Sequence, residues 1–227
     1  MPYTMEQVAS TIDHAVLKPN QTVADVRSNA DMCLKYGVAS MCVRPCDVRL
    51  ASELLNDSKV LVSTVLSFPH GADTTAAKIT QARLALEDGA REIDMVMNIG
   101  RFLSGNYDDV RKDIQAVTEI AHAENALVKV IQESCFLTLE EVAAACEISR
   151  EAGADFVKTS TGFGPSSATP EIIDVMVKTV GETMGVKASG GIRTWDQAIG
   201  FLQQGATRLG IGATETVLNG RVSEETY

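Results

Sequence analysis

Four stretches decide the fold: REIDMVMN at 91–98, LVKVIQE at 127–133, DFVKTS at 155–160 and GVKASGG at 185–191. Each places one ionisable residue, Asp94, Lys129, Lys158 or Lys187, between apolar neighbours in a run of strand length. Such runs suit parallel strands covered on both faces. The three lysines recur every 29 residues, which is one strand followed by one helix.

The same unit continues to either side. Strands are expected at 12–17, 39–43, 60–68, 92–98, 127–132, 155–159, 186–189 and 208–211. The segments between them carry one apolar face at helical spacing, as in Val23, Val26, Ala30, Cys33 and Leu34, or Trp195, Ala198, Ile199 and Leu202. Thr138 with Glu141, and Thr194 with Gln197, have capping-box spacing, and Thr169 precedes a proline at the favoured first-turn position. Helix ends recur as Gly37-Val38, Gly89-Ala90, Gly153-Ala154 and Gly205-Ala206, where glycine suits the left-handed turn into the next strand. Eight alternations in 227 residues predict an α/β protein, a closed (β/α)8 TIM barrel forming a single domain over 1–227. Six strands would suffice for an open doubly wound sheet.

Composition narrows the partners. Twenty basic against thirty acidic residues give a net charge of -10, which opposes binding to nucleic acid or anionic lipid. No apolar run is long enough to span a bilayer, and MPYTMEQVAS has neither a basic start nor an apolar run, so a cytoplasmic location is expected. Five cysteines scattered among apolar residues predict buried thiols in a reducing compartment.

Barrel enzymes carry their reactive groups at the C-terminal ends of the strands. Equal spacing predicts Lys129, Lys158 and Lys187 at similar heights on adjacent strands roughly 4.8 Å apart. One lysine could point outward or snorkel to solvent. Three on strands buried on both faces predict a crowded cationic site, where desolvation and like charge favour the neutral amine that attacks a carbonyl. The pattern is that of a Schiff-base enzyme. Asp94 fits either a counter-ion for the lysines or a carboxylate that moves protons beside an imine, and both roles can hold together. TSTGFG, SGGIR and LGIGAT follow strands six to eight, and with a short helix including 216–218 they match the phosphate site of barrels.

Three rival functions differ in what they require. A zinc aldolase needs several converging imidazoles, whereas His14 and His70 read as structural or pocket-lining and His122 as a surface residue. A phosphosugar isomerase leaves the lysine array without a role. A phosphosugar-binding protein without activity would form no covalent adduct.

The segments IDHAVLKP, FPHGADTTAAK, EIDMVMNIG, VKVIQES, AGADFVKTSTGFG, GVKASGGIRT and GATRLG span nearly the whole chain. In combination they resemble the deoxyribose-phosphate aldolases, class I aldolases that join acetaldehyde to glyceraldehyde 3-phosphate. The resemblance implies that Lys158 forms the Schiff base, that Lys187 lowers its pKa and that Asp94 belongs to the proton relay. It implies supporting substrate contacts from Lys129 and Thr159, and phosphate-binding turns at Gly162, Gly190, Gly191 and Gly210. Phosphosugar and aldehyde substrates follow from it, with no cofactor and no metal, and it is compatible with a homodimer.

The chain departs from that pattern at Gly212-Ala213, where many members have two small hydroxyl residues, and at Phe163, where some have another lysine. Modest phosphate discrimination is expected, with backbone amides and Thr214 as compensating donors. The tail RVSEETY reads as a frayed terminus. Family members often end in tyrosine too, and on that reading a mobile tail brings Tyr227 over the barrel mouth to relay a proton.

Overall fold

The computed structural model describes residues 3–223. Its strands are β1 (Ile12–Val16), β2 (Ser40–Val43), β3 (Leu61–Leu66), β4 (Glu92–Val96), β5 (Leu127–Ile131), β6 (Phe156–Lys158), β7 (Gly185–Ser189) and β8 (Arg208–Ile211). Each pairs in parallel with the next, and β8 returns to β1, closing a (β/α)8 barrel. The helices are α1 (Met5–Ala9), α2 (Val23–Tyr36), α3 (Val48–Leu54), α4 (Thr75–Glu87), α5 (Ile99–Leu103), α6 (Tyr107–Ala123), α7 (Leu139–Glu151), α8 (Pro170–Val180), α9 (Trp195–Gln203) and α10 (Thr214–Leu218).

Local chemistry sets the boundaries. Thr138 and Thr194 form the expected capping boxes, and Thr169 caps α8 ahead of Pro170. Gly37, Gly89, Gly153 and Gly205 all have positive φ, between 64° and 107°. Two strands stop two residues short of the expected 60–68 and 92–98. Ser67 takes a φ of 52° and donates its N–H to Gln81 Oε1, while Asn98 leaves the ladder to cap α5.

Outward-facing residues such as Ile93, Met95, Val128, Val130 and Val157 are buried in the main core, as befits a sheet ringed by helices. The inward faces differ. Asp13, Ser40, Ser63, Glu92, Asp94, Lys129, Lys158 and Lys187 are each at most 1% exposed, giving the barrel a polar interior. Toward the mouth on the β1–β3 side, Ala15, Leu17, Cys42 and Val65 form a small apolar cluster with Phe68. At the opposite end Phe156 needs Gly185 beside it, since a Cβ there would lie 2.1 Å from the ring.

Register corrects one expectation. Lys158 aligns with Lys187, but Lys129 aligns with Phe156, while Ile131 aligns with Lys158. Lys129 therefore sits one inward-facing step below the other two lysines. Closing a barrel staggers its strands, so equal sequence spacing does not give equal height.

The cysteines need a correction too. All five are free, and Cys33, Cys42 and Cys146 are buried, but Cys135 is half-buried and Cys46 is exposed on the short turn after β2. Burial pushes the Cys146 thiol up to about 12. Among the described residues no helix is long and apolar enough to cross a membrane.

Candidate active site

The charged residues of the central strands point into the barrel, where strand closure brings them into one ionic network. Asp94 Oδ2 accepts from Lys158 Nζ and Lys187 Nζ, both at 2.7 Å, and its Oδ1 accepts from Lys129 Nζ at 2.9 Å. Lys187 also donates to Asp13 Oδ2 at 2.5 Å. Lys129 donates to Glu92 Oε2 at 2.5 Å and lies 3.4 Å from Asp13 Oδ2. Arg208 closes the ring below, reaching Asp13 Oδ1 at 2.6 Å and both Glu92 oxygens at 3.0 and 3.1 Å.

Burial alone would protonate the acids and neutralise the bases. Pairing reverses that. Burial opposes ionisation of Asp13, yet Lys129, Lys187 and Arg208 hold its carboxyl well below the usual range; Lys129, Lys158 and Lys187 do the same for Asp94. Conversely, Asp13, Asp94 and Glu92 outweigh the desolvation of Lys129 and hold its proton more tightly than in water. Asp13 and Glu92 do the same for Arg208.

Four cations thus share three carboxylates, leaving one surplus positive charge when all are ionised. The surplus is unevenly placed. Among the described residues Lys129 has three carboxylates within 3.4 Å and Lys187 has two within 2.7 Å, whereas Lys158 has only Asp94.

Asp13, Glu92 and Arg208 were not among the residues read from the sequence. Asp13 lies in IDHAV between Ile12 and His14, where the adjoining histidine blurs the pattern that singled out Asp94. Glu92 lies two residues before Asp94 and so shares its inward face. Arg208, at a strand start, resembles an ordinary solvated end until β8 closes against β1.

Above the lysines the loops after β6 and β7 meet. Gly162, Gly190 and Gly191 have φ of 87°, 81° and 71°, and a Cβ on Gly190 would lie 2.7 Å from Ser167 Oγ and 3.4 Å from Gly162 Cα. Gly210 belongs elsewhere. It lies within β8 and not in a turn; its missing Cβ leaves room for Ser189 Oγ and Lys187 Cε, which would stand 2.2 and 3.3 Å away.

Thr159 is buried, and its hydroxyl donates to Ser189 O and accepts from Ser189 N, both at 3.1 Å, tying β6 to β7. Glu133, at a φ of 51°, accepts from Thr161 N at 3.2 Å and from the Thr161 hydroxyl, pinning the β6 loop. Phe163 meets Phe68 edge-on, with ring centroids 5.4 Å apart, so an aromatic pair joins the β3 and β6 loops.

Thr214 Oγ1 lies 2.9 Å from His14 Nδ1, and His14 Nε2 lies 2.6 Å from Asn29 Oδ1. This engages the hydroxyl expected to compensate for Gly212-Ala213. His122 is exposed and bonds Asp155 at 2.9 Å. Among the described residues no group of three or more His, Cys, Asp or Glu is arranged to hold a metal ion. Tyr227 lies outside the described residues.

A parallel barrel with buried lysines on consecutive strands beneath its C-terminal rim has the fold and site of a lysine-dependent aldolase. The chain belongs to the DeoC/LacD family aldolases, whose profile matches residues 7–221. It is 49% identical over 220 residues to a deoxyribose-phosphate aldolase of Thermococcus gammatolerans, covering 96% of this chain and 98% of that one. A deoxyribose-phosphate aldolase of Clostridium perfringens is 48% identical over 222 residues, covering 98% and 99%. Among solved structures, the deoxyribose phosphate aldolase of Aeropyrum pernix, described as having a tetrameric structure, superposes with a TM-score of 0.89 at 32% identity, covering 95% of this chain and 91% of that one.

Proposed function

We propose that this aldolase reversibly cleaves 2-deoxy-D-ribose 5-phosphate to acetaldehyde and D-glyceraldehyde 3-phosphate through an imine on Lys158. The observation that carries the assignment is the uneven sharing of carboxylates. Lys158 sits on the mouthward rung with one anionic partner, and loss of its proton brings the cluster of four cations and three carboxylates to neutrality.

The neutral amine attacks the substrate aldehyde carbon C1, and the carbinolamine takes up a proton and loses its hydroxyl as water, leaving a protonated imine. The C2–C3 bond then breaks, its electron pair passing into the enamine as the iminium nitrogen takes up the displaced pair. The C3 hydroxyl gives up its proton as C3 becomes the aldehyde of glyceraldehyde 3-phosphate. Protonation of the enamine at C2 and hydrolysis release acetaldehyde. Asp94, touching both Lys158 and Lys187, is placed to carry protons through the pair.

Gly162, Gly190 and Gly191 are assigned to the phosphate, because open backbone with positive φ presents amides to an anion. Tyr227 is assigned to closure over the mouth, on the family resemblance. Lys129 and Thr159 act beneath the substrate by holding Asp94 and the β6–β7 edge. A cytoplasmic homodimer is the proposed setting, checked by fractionation and sedimentation.

Borohydride reduction with acetaldehyde, followed by peptide mass mapping, tests the assignment. One two-carbon adduct on Lys158 is expected. A dominant adduct on Lys129 or Lys187 would overturn it.

A further inference from the structure

Ser189 has a buried hydroxyl that none of the described residues uses. Its Oγ has no hydrogen-bond partner although the residue is 0% exposed. A buried hydroxyl left unpaired costs about 1–3 kcal/mol, so such an atom at a candidate active site calls for a partner supplied from outside the fold. Its backbone is satisfied, with the N–H donating to Thr159 Oγ1 and the carbonyl accepting from the same hydroxyl.

The direction of the side chain is set by Gly210, its neighbour in register on β8. A Cβ on Gly210 would meet Ser189 Oγ at 2.2 Å and Lys187 Cε at 3.3 Å. Both side chains therefore occupy the space that this glycine leaves inside the barrel. Ser189 stands one inward step toward the mouth from Lys187, whose Nζ shares Asp94 Oδ2 with Lys158 Nζ. Its hydroxyl and the end of the Lys187 side chain thus face the same space inside the barrel, beside the ammonium group that shares Asp94 with Lys158.

We propose that Ser189 Oγ hydrogen-bonds the oxygen on C3 of the Lys158-bound substrate, and that Gly210 is required to make room for it. The inference rests on the imine assignment to Lys158. A substrate tethered at C1 on Lys158 and extending toward the phosphate loops passes the space that Ser189 faces, and C3 carries the oxygen nearest the bond that breaks. This oxygen is a hydroxyl before cleavage and a carbonyl after it. Serine can accept from the first and donate to the second by rotating its own proton, so it follows the change without taking part in proton transfer. A bond that strengthens as charge develops on that oxygen during C–C cleavage accelerates this step and leaves imine formation alone.

The test separates the two halves of the reaction. Acetaldehyde has no C3 oxygen, so its borohydride trapping on Lys158 and the exchange of its methyl protons report imine and enamine chemistry without the proposed contact. Ser189→Ala is expected to lower kcat/KM for cleavage of 2-deoxyribose 5-phosphate about tenfold, while trapping and methyl exchange stay at the parental rates. Ser189→Cys, which keeps the shape with a weaker donor, should fall between them, and Ser189→Thr guards against a packing explanation by restoring the hydroxyl.

Unchanged cleavage in a folded Ser189→Ala protein overturns the proposal. An equal fall in cleavage, trapping and exchange also overturns it, because the hydroxyl would then serve the imine or the fold. Failure to trap any adduct on Lys158 in the parent protein strikes instead at the imine assignment, and is read before any variant is made.

Discussion

The interior of the barrel holds two cationic rungs that differ in how well they are paired. On the lower rung Lys129 and Arg208 lie among Asp13, Glu92 and Asp94, and each cation has more than one carboxylate within 3.4 Å. On the upper rung Lys158 and Lys187 share a single oxygen of Asp94, and among the described residues only Lys187 has a second anion, Asp13. The same residue type is thus a fixed charge at one height and a candidate nucleophile at the next. Burial does not separate them, because all three lysines are at most 1% exposed. The separation comes from the supply of negative charge, which the fold concentrates below and thins out toward the mouth.

Removing the proposed nucleophile breaks that comparison most completely. Lys158→Ala should reduce cleavage on the order of 10⁴-fold or more, with little loss of fold, since it relieves the surplus charge. Substantial turnover in this protein would move the imine to another rung. Asp94→Asn strikes both rungs at once. A fall in kcat of roughly 10²- to 10⁴-fold is expected if the carboxylate moves protons, with destabilisation of about 3–5 kcal/mol because three buried ammonium groups lose a shared anion. Denaturant unfolding beside kinetics distinguishes the two effects, and loss of stability with kcat preserved would leave Asp94 a counter-ion only.

Lys187→Leu should act first on the upper rung, while also taking a cation from Asp13. The substitution removes one of the two ammonium groups on the same Asp94 oxygen, and any like-charge effect on Lys158 goes with it. Imine formation should slow near neutral pH and recover as pH rises. An unshifted pH profile would show that the lysines are not coupled.

The lower rung makes a prediction for stability. Asp13 and Asp94 ionise more readily when folded, so their contribution is present above the unfolded value of about 3.9 and is lost as pH falls through their lower folded values. Lys129 holds its proton more tightly when folded, so its contribution is present below about 10.4 and is lost as pH rises through its higher folded value. Melting temperature should therefore show both limbs, and Lys129→Met should flatten the alkaline one. If that limb is unchanged, another group carries it.

The smallest effect is expected outside both rungs. Serine at positions 212 and 213 would supply hydroxyls near the phosphate loops, where a charge-assisted hydrogen bond contributes on the order of 1.5–3 kcal/mol and partial exposure reduces that. The ratio of kcat/KM for deoxyribose 5-phosphate over free deoxyribose should rise several-fold. An unchanged ratio would place the phosphate beyond reach of these positions.

Much of this molecule is written in local sequence. Strand and helix periods, capping threonines and glycine helix ends are decided by neighbours a few residues apart, so eight alternations sufficed to predict a closed barrel. Asp94, Lys158 and Lys187 were legible because a lone charge within an apolar strand is costly unless it has a partner or a use. Relations across the closed sheet were not legible. Asp13 and Arg208 lie 195 residues apart, and they meet because β8 returns to β1. The height of Lys129 depends on strand stagger, a property of the whole barrel that spacing of 29 residues cannot express. Gly210 reads as a phosphate turn in sequence, whereas in space its missing Cβ makes room for Ser189 and Lys187. Sequence determined which groups are buried within strands; closure and shear decided which of them share a carboxylate, because electrostatic pairing depends on distances that only the assembled barrel sets.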